Sequence, residues 1–237
     1  MPLAESDAHG KKRGWAVAES APMFTGISPE DSSRICAAAQ VKSFGRGEML
    51  YLEGDPVGKV LLLISGTVKI TQLGPKDLEF TLKVAAPGDV LGAVSLFSSG
   101  RHCTTAQAVQ RCWALVWDAA MFQALVEYSL VLCQNMVRSN LGQLRELEER
   151  FRELATESVA RRLARQLIRL QEQVGSPQKG EAIIGLSRAG LAHMTGTTLY
   201  TVSRLLSAWK AHGFVISRRK CVMITDIRSL RKIIEES

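Results

Sequence analysis

Residues 187–215, SRAGLAHMTGTTLYTVSRLLSAWKAHGFV, constrain the fold of this chain more than any other stretch. Apolar side chains recur at helical spacing on both sides of Gly196, which predicts two short helices with a turn between them. Gly196 supplies the permissive backbone that a tight turn needs, and Thr198 is a natural N-cap for the second helix. The buried faces are predicted at Leu191, Met194, Val202, Leu205, Leu206 and Trp209. The segment therefore predicts a helix-turn-helix pair.

The second helix of this pair has an outward face near its start. If the helix lies in the major groove of DNA, Tyr200, Ser203 and Arg204 are the residues that meet the base edges. Arg204 can bond both acceptors of a guanine edge, which is the commonest specific contact. Side chains suited to phosphate contacts are Ser187, Arg188, Thr198 and Thr201. The alternative for the helix pair by itself is an ordinary αα-hairpin in a protein core.

The residues after the helix pair, and the charge around it, favour DNA. Residues 215–224 predict a β-hairpin, and its tip, Arg218, Arg219 and Lys220, is suited to touching phosphates. Residues 158–237 hold 14 of the 30 Lys and Arg and 5 of the 23 Asp and Glu, a net charge of +9. Residues 1–157 hold the remaining 16 and 18, a net charge of −2. A basic segment joined to a near-neutral one is typical of a nucleic-acid binder attached to a sensor or oligomeriser.

The sequence between Val41 and Trp117 predicts β-structure. Short apolar runs alternate there with glycines, and Ser65-Gly66-Thr67 stands between two of those runs as strand, turn, strand. Pro87-Gly88-Asp89 is a further turn signal. Many short strands at even spacing predict a compact barrel or roll.

A helical period follows from Ala119 to Ala155. Its apolar positions form one stripe: Val137, Leu141, Leu144, Leu147, Phe151 and Leu154. Arginines and glutamates occupy the other faces, so something must cover the stripe. A two-fold seam between two copies of the chain is the favoured interpretation. The alternative is a monomer whose helix packs wholly on its own domain.

Composition excludes several classes of protein. No stretch of 18 residues is free of charge, and no apolar signal-like run opens the chain, so we expect a cytoplasmic protein without membrane contact. The five cysteines are scattered and form no CxxC pair, which argues against disulfides and zinc. The glycine-rich phosphate loop, HExxH and GxSxG are all missing, so we expect no enzyme.

These residues together resemble the Crp/Fnr family of bacterial transcription regulators. The resemblance rests on Gly47-Glu48, Gly54-Asp55, residues 64–68 (ISGTV), residues 87–92 (PGDVLG) and residues 195–206 (TGTTLYTVSRLL). It implies an α+β chain that binds a palindromic double-stranded DNA site as a homodimer, with RNA polymerase as a candidate partner. The implied order is an N-terminal arm (1–27), a double-stranded β-roll like that of cyclic-nucleotide-binding domains (28–122), a long dimerisation helix (123–157) and a winged helix-turn-helix (158–237).

The effector pocket that the resemblance implies contains Gly92, Ala93, His102, Cys103 and Thr104. In cyclic-AMP-binding members the phosphate-binding segment, called the cassette below and corresponding here to residues 92–103, carries a glutamate directly after its glycine and an arginine about ten residues later. This chain has Ala93 and Cys103 at those two positions. Arg101 is out of register, and a buried phosphate without a charge partner is costly, so we expect no cyclic AMP. Tyr200 likewise replaces a glutamate that accepts from cytosine in relatives, which alters the expected half-site.

The resemblance suggests two other cofactors through which an effector could act, an iron–sulfur cluster and a haem. No cysteine precedes Cys36, which argues against the iron–sulfur cluster of oxygen-sensing members. A haem is a candidate cofactor, since the carbon-monoxide-sensing branch is similar in using an N-terminal proline and a histidine after the cassette, here Pro2 and His102. Control by an effector through the dimer is the favoured mechanism. The alternatives are a ligand-independent or thiol-regulated DNA binder, and a cyclic-nucleotide module that does not bind DNA.

Overall fold

A computed structural model describes residues 20–74, 79–174, 183–184, 186–218 and 221–235. Their contacts divide the chain into two compact units. The first contains residues up to 72 together with 85–145, and the second contains residues 73–84 together with those from 146 onward. Within the described ranges, no helix combines the length and the apolarity that a membrane span requires.

The first unit is built around two antiparallel β-sheets. The strands of these sheets are β1 (Gln40–Phe44), β2 (Met49–Tyr51), β3 (Lys59–Ser65), β4 (Val68–Leu73), β5 (Glu79–Ala85), β6 (Val90–Leu91), β7 (Thr105–Ala108) and β8 (Cys112–Asp118). All residues of β5 except Ala85 are assigned to the second unit. One sheet has the order β1-β8-β3-β6 and the other β2-β7-β4-β5. The predicted β-roll is confirmed, and it places β3 and β4 in different sheets although only Gly66 and Thr67 separate them.

Strand β3 explains why the two layers hold together. Its residues from Val60 to Ile64 are all buried, so both of its faces are covered, as a continuous apolar run predicts. Val60 and Leu62 pack in one core with Trp117. Leu61 and Leu63 pack in a second core. The turn after β3 needs glycine, because Gly66 has a φ of 83° and a Cβ there would lie 2.6 Å from the carbonyl oxygen of Arg111.

The helices up to residue 156 are α1 (Pro29–Ala37), α2 (Ala93–Ser98), α3 (Ala119–Tyr128) and α4 (Leu130–Thr156). The dimerisation helix was predicted as one element over 123–157, and the structure differs at its start. Ser129 is extended, with φ −111° and ψ 103°, and ends α3. Its hydroxyl accepts a hydrogen bond from the Leu132 amide at 3.3 Å, as an N-cap does at the start of α4.

Helix α4 carries the predicted apolar stripe on its surface. All six of its side chains are between 46% and 75% exposed in the single chain: Val137, Leu141, Leu144, Leu147, Phe151 and Leu154. These exposures belong to the single chain, and the two-fold seam that would cover the stripe stays a prediction.

The second unit contains α5 (Val159–Val174), β9 (Ile183–Ile184), α6 (Arg188–Met194), α7 (Leu199–Ala211), β10 (Val215–Arg218), β11 (Cys221–Ile224) and α8 (Ile227–Glu235). The three strands form an antiparallel sheet in the order β10-β11-β9. Leu167 from α5, Leu191 from α6, Leu206 from α7 and Leu230 from α8 are fully buried in one core. The predicted winged helix-turn-helix is confirmed.

The division into units at 145/146 lies within α4, and the predicted domain boundary at 157/158 stays a prediction. Helix α4 ends at Thr156, and its last three turns, from Glu146, belong to the second unit. Arg150 donates to the carbonyl oxygens of Leu82, at 2.8 Å, and Met194, at 3.3 Å. Glu153 forms a buried ion pair with Arg169 of α5. These contacts between residues far apart in the chain move the packing boundary to 145/146.

Candidate nucleic-acid interface

Each of the two helices of the interface begins at a hydroxyl side chain that caps it, and of these two caps only Thr198 was predicted. The Ser187 hydroxyl accepts from the Gly190 amide at 3.1 Å and caps α6. The Thr198 hydroxyl accepts from the Thr201 amide at 3.2 Å and caps α7. Each cap satisfies a backbone amide that the first turn of a helix leaves without a partner. The starts of both helices are therefore fixed by residues three positions apart.

The turn between α6 and α7 is held from both sides. The Thr195 hydroxyl donates to the Leu191 carbonyl at 2.7 Å. Gly196 has a φ of 59°, and a Cβ there would lie 2.4 Å from Cδ2 of Leu154 on α4. Arg162 of α5 donates to the Thr195 carbonyl at 3.0 Å. Helix α7 is thus oriented by contacts with α4 and α5 as well as by its own turn.

Helix α7 presents the three predicted base-reading residues outward. Val202, Leu206 and Trp209 are buried beneath it. Tyr200 is 76% exposed, Arg204 lies one turn further along the same exposed face, and Ser203 beside them is half-buried. Arg204 is exposed, and among the described residues none is recorded in a hydrogen bond or ion pair with its guanidinium.

Three of the seven predicted phosphate-contact residues line one cleft beside α7. An open cleft of about 420 Å³ is lined by Ser187, Arg188, Ala189, Leu199, Ser217 and Arg218. Arg188 donates through Nη2 to the Ser217 hydroxyl at 3.3 Å, while its Nε is buried with no partner among the described atoms. Thr198 and Thr201 lie at the start of α7, with their hydroxyls 3.0 Å apart. Arg219 and Lys220 fall outside the described residues.

Sequence reasoning missed the side chains that hold this surface in place. Arg150 was counted only among the charges on the other faces of the long helix, and Arg162 was assigned no role. Each donates to a carbonyl at the end of α6, Met194 for the first and Thr195 for the second. Burial lowers the pKa of the Arg150 guanidinium from its usual value, partly opposed by Glu146. Nothing in the local sequence identifies these two arginines, because both carbonyls lie more than thirty residues away in the chain.

The residues predicted for an effector pocket lie in the roll of the first unit. The imidazole of His102 is 4% exposed and stacks on Tyr51, with ring centroids 3.8 Å apart and planes at 7°. A Cβ at Gly92 would lie 3.3 Å from Cε1 of His102, so glycine admits the ring. The Nδ1 of His102 is buried and has no hydrogen-bond partner among the described atoms. Burial raises the pKa of Tyr51 to about 12, although a hydrogen bond with Thr104 opposes the shift.

No charged side chain takes the cassette positions that bind a cyclic phosphate in relatives. Ala93 is 2% exposed and belongs to an apolar core. The Cys103 thiol lies 3.4 Å from the Ser95 hydroxyl. Arg101, the nearest cation in sequence, donates instead to the carbonyl oxygen of Gly54 at 2.8 Å. The described cassette therefore offers hydroxyls and a thiol to a ligand, without a cation.

The packing of His102 also bears on a haem. An axial ligand needs an open side for the macrocycle, and the imidazole is enclosed by Tyr51 and Gly92. Pro2, the other predicted ligand, lies outside the described residues. In this conformation His102 does not fit a haem, and haem ligation stays a prediction that requires the Tyr51 ring to move.

Replacing His102 should weaken the pH dependence of stability. Burial lowers the pKa of His102, and Asp55 only partly opposes the shift. Below about pH 6.5 the unfolded chain therefore binds a proton that the folded chain rejects, so folding becomes less favourable as pH falls. We expect His102→Gln to lose less melting temperature than the wild type between about pH 7.5 and about pH 5.5. Equal losses in the two proteins would show that His102 is not the group that titrates.

Comparisons with known proteins agree with this architecture. A model of the cyclic nucleotide-binding domain matches residues 41–129, and a model of the Crp-like helix-turn-helix domain matches residues 161–233. A roll followed by a long helix and this DNA-binding domain defines the class: a DNA-binding transcription regulator, not an enzyme. The chain belongs to the Crp/Fnr family of regulators.

Its relatives match over most of their length. The chain is 25% identical over 214 residues to a CRP-like cAMP-activated global transcriptional regulator of Mycobacterium tuberculosis, covering 90% of this chain and 96% of that one. It is 28% identical over 194 residues to the cyclic AMP receptor protein of Thermus thermophilus, covering 82% and 88%. The crystal structure of the Thermus thermophilus catabolite activator protein matches with a TM-score of 0.52 and 26% identity, covering 91% and 99%.

Proposed function

We propose that this regulator binds a palindromic DNA site as a homodimer in the cytoplasm, under the control of an effector other than cyclic AMP. The observation that carries the proposal is the outward face of α7, where Tyr200 and Arg204 are exposed beside a cleft lined by Arg188 and Arg218. An α-helix fits into the major groove of DNA, so Arg204 on α7 is suited to reading a base edge, and Arg188 and Arg218 beside it are suited to contacting phosphates.

The apolar stripe of α4 supports the homodimer. A long exposed run of Leu, Val and Phe side chains at a spacing of three and four residues is the pattern that pairs two helices. Two copies related by a two-fold axis present two α7 helices, which suits half-sites about 34 Å apart on DNA. RNA polymerase is a further partner in this proposal, as expected for a regulator that acts at promoters.

The cassette supports an effector other than cyclic AMP. Two of the relatives are named for cyclic AMP. At the cassette positions expected to bind the nucleotide, this chain has the buried Ala93 and the thiol of Cys103. The Arg101 guanidinium donates its hydrogen bond to the carbonyl oxygen of Gly54. A cyclic phosphate would then be buried without a cation, which is unfavourable. We propose a neutral or redox-active signal at Ser95 and Cys103, with allosteric transmission through the dimer.

Replacing Arg204 tests the proposed DNA contact. Arg204→Ala should lose about 1–3 kcal/mol of binding to the specific operator, and much less on random DNA of the same length. Fluorescence anisotropy of the full-length protein at fixed salt measures both affinities. Lys210→Ala, which removes an exposed cation from the last turn of the same helix, is the matched control and should affect the two DNAs equally. Equal losses on both DNAs for Arg204→Ala would contradict base reading.

A further inference from the structure

The start of α7 exposes apolar side chains where a polar surface would be expected. From residue 158 onward, the described large apolar side chains that are exposed are Leu199 at 53%, Tyr200 at 76% and Ile216 at 40%. Leu199 and Tyr200 are consecutive and lie in the first turn of α7. Residues 158–237 carry a net charge of +9, so two neighbouring exposed apolar side chains, Leu199 and Tyr200, are an exception in this part of the chain.

Leu199 and Tyr200 lie on different parts of the α7 surface. Tyr200 lies on the centre of the exposed face, one helical turn before Arg204. Leu199 lies at the flank and lines the cleft with Arg188 and Arg218. A ligand that meets Arg204 and the cleft arginines at once must therefore lie against both apolar side chains. The positive charge around them favours a polyanion as that ligand over a protein surface.

DNA offers one apolar group to such a pair. In the major groove each base edge presents donors and acceptors, and the thymine C5-methyl is the apolar exception. Leu199 has no side-chain donor or acceptor, so it gains nothing from a polar base edge and would leave that edge unpaired. The chemistry therefore favours a methylated pyrimidine over cytosine at this place.

We infer that Leu199 and Tyr200 form a methyl-reading pair that selects thymine beside the guanine bound by Arg204. The inference rests on the proposed DNA-binding function and names the base that the apolar end of α7 recognises. Four residues of helix rise by about 6 Å, which is roughly two base steps. The selected thymine should therefore lie within about two base pairs of that guanine.

Uracil substitution tests the pair directly, because uracil differs from thymine only by the methyl group. The operator is first selected from random duplexes with the full-length protein, and each thymine is then replaced singly by deoxyuridine. At the contacted thymine we expect about a fourfold loss of affinity for each methyl removed. Leu199→Ala and Tyr200→Ala should bind the thymine duplex more weakly and should lose the difference between thymine and uracil.

Two further variants separate the methyl contact from other roles of these residues. Tyr200→Phe keeps the ring and removes the hydroxyl, so it should retain the uracil sensitivity. Ile216→Ala, which shortens the third exposed apolar side chain, is the matched control and should also retain it. Equal binding of thymine and uracil duplexes by the wild type would overturn the inference, as would an unchanged uracil effect in both alanine variants. Failure to select any sequence would instead overturn the proposed DNA-binding function.

Discussion

Replacing Leu144 and Leu147 together with aspartate is expected to convert the regulator from a dimer into a monomer. Both side chains are about half exposed in the single chain and lie at the middle of the stripe on α4. In a two-fold seam each aspartate would be buried against an apolar partner, and an unpaired buried charge is strongly unfavourable. Sedimentation velocity and light scattering measure the change in mass.

The same double variant should bind a palindromic operator at least about a hundredfold more weakly, because the second half-site no longer benefits from linkage to the first. Arg145→Asp is the matched control, since Arg145 is exposed on the same helix away from the stripe. It should leave the dimer intact. A double variant that still sediments as a dimer would place the dimer interface somewhere other than the stripe.

Removing the Glu153 carboxylate is expected to destabilise the second unit by about 3–5 kcal/mol, the usual cost of breaking a buried ion pair. The side chains of Glu153 and Arg169 are 8% and 19% exposed, so Glu153→Ala would leave the Arg169 guanidinium buried and uncompensated. Arg150 lies close enough for its charge to interact with both groups, so two guanidinium groups would then face each other. Urea unfolding measures the loss of stability.

Two further variants test whether the loss of stability in Glu153→Ala comes from the buried ion pair. Glu149→Ala removes an exposed carboxylate one turn earlier on α4 and should change stability by no more than about 0.5 kcal/mol. Replacing both Glu153 and Arg169 with methionine should recover most of the stability, because it removes both charges and keeps the volume. A loss for Glu153→Ala as small as that for Glu149→Ala would show that solvent screens the pair.

Predictions that depended on local rules agree with the structure. The cap at Thr198 and the buried faces of α6 and α7 each involve residues within four positions of one another. The continuous apolar run of β3 and the turn at Gly66 belong to the same class. Periodicity and capping are short-range properties, so a single sequence contains them in full.

Predictions that needed distant partners were incomplete. The break at Ser129 was missed because the apolar period runs through it, while an extended backbone there separates α3 from α4. Leu154 was assigned only to the dimer seam, yet it also lies against the turn at Gly196. His102 could be an exposed loop residue or an iron ligand on sequence alone, whereas the fold stacks it on Tyr51. The relevant partner in each of the last two cases lies more than forty residues away.

The sequence by itself determined the family, the order of roll, long helix and winged helix-turn-helix, and the outward residues of α7. These depend on residue type and on spacing along one strand or one helix. Only the tertiary structure decided which charges are buried, where the two units divide, and that Arg150 bonds carbonyls 68 and 44 residues away. The physical reason is that a buried charge must find its partner through the packing of the whole chain, and packing joins residues that no local pattern connects.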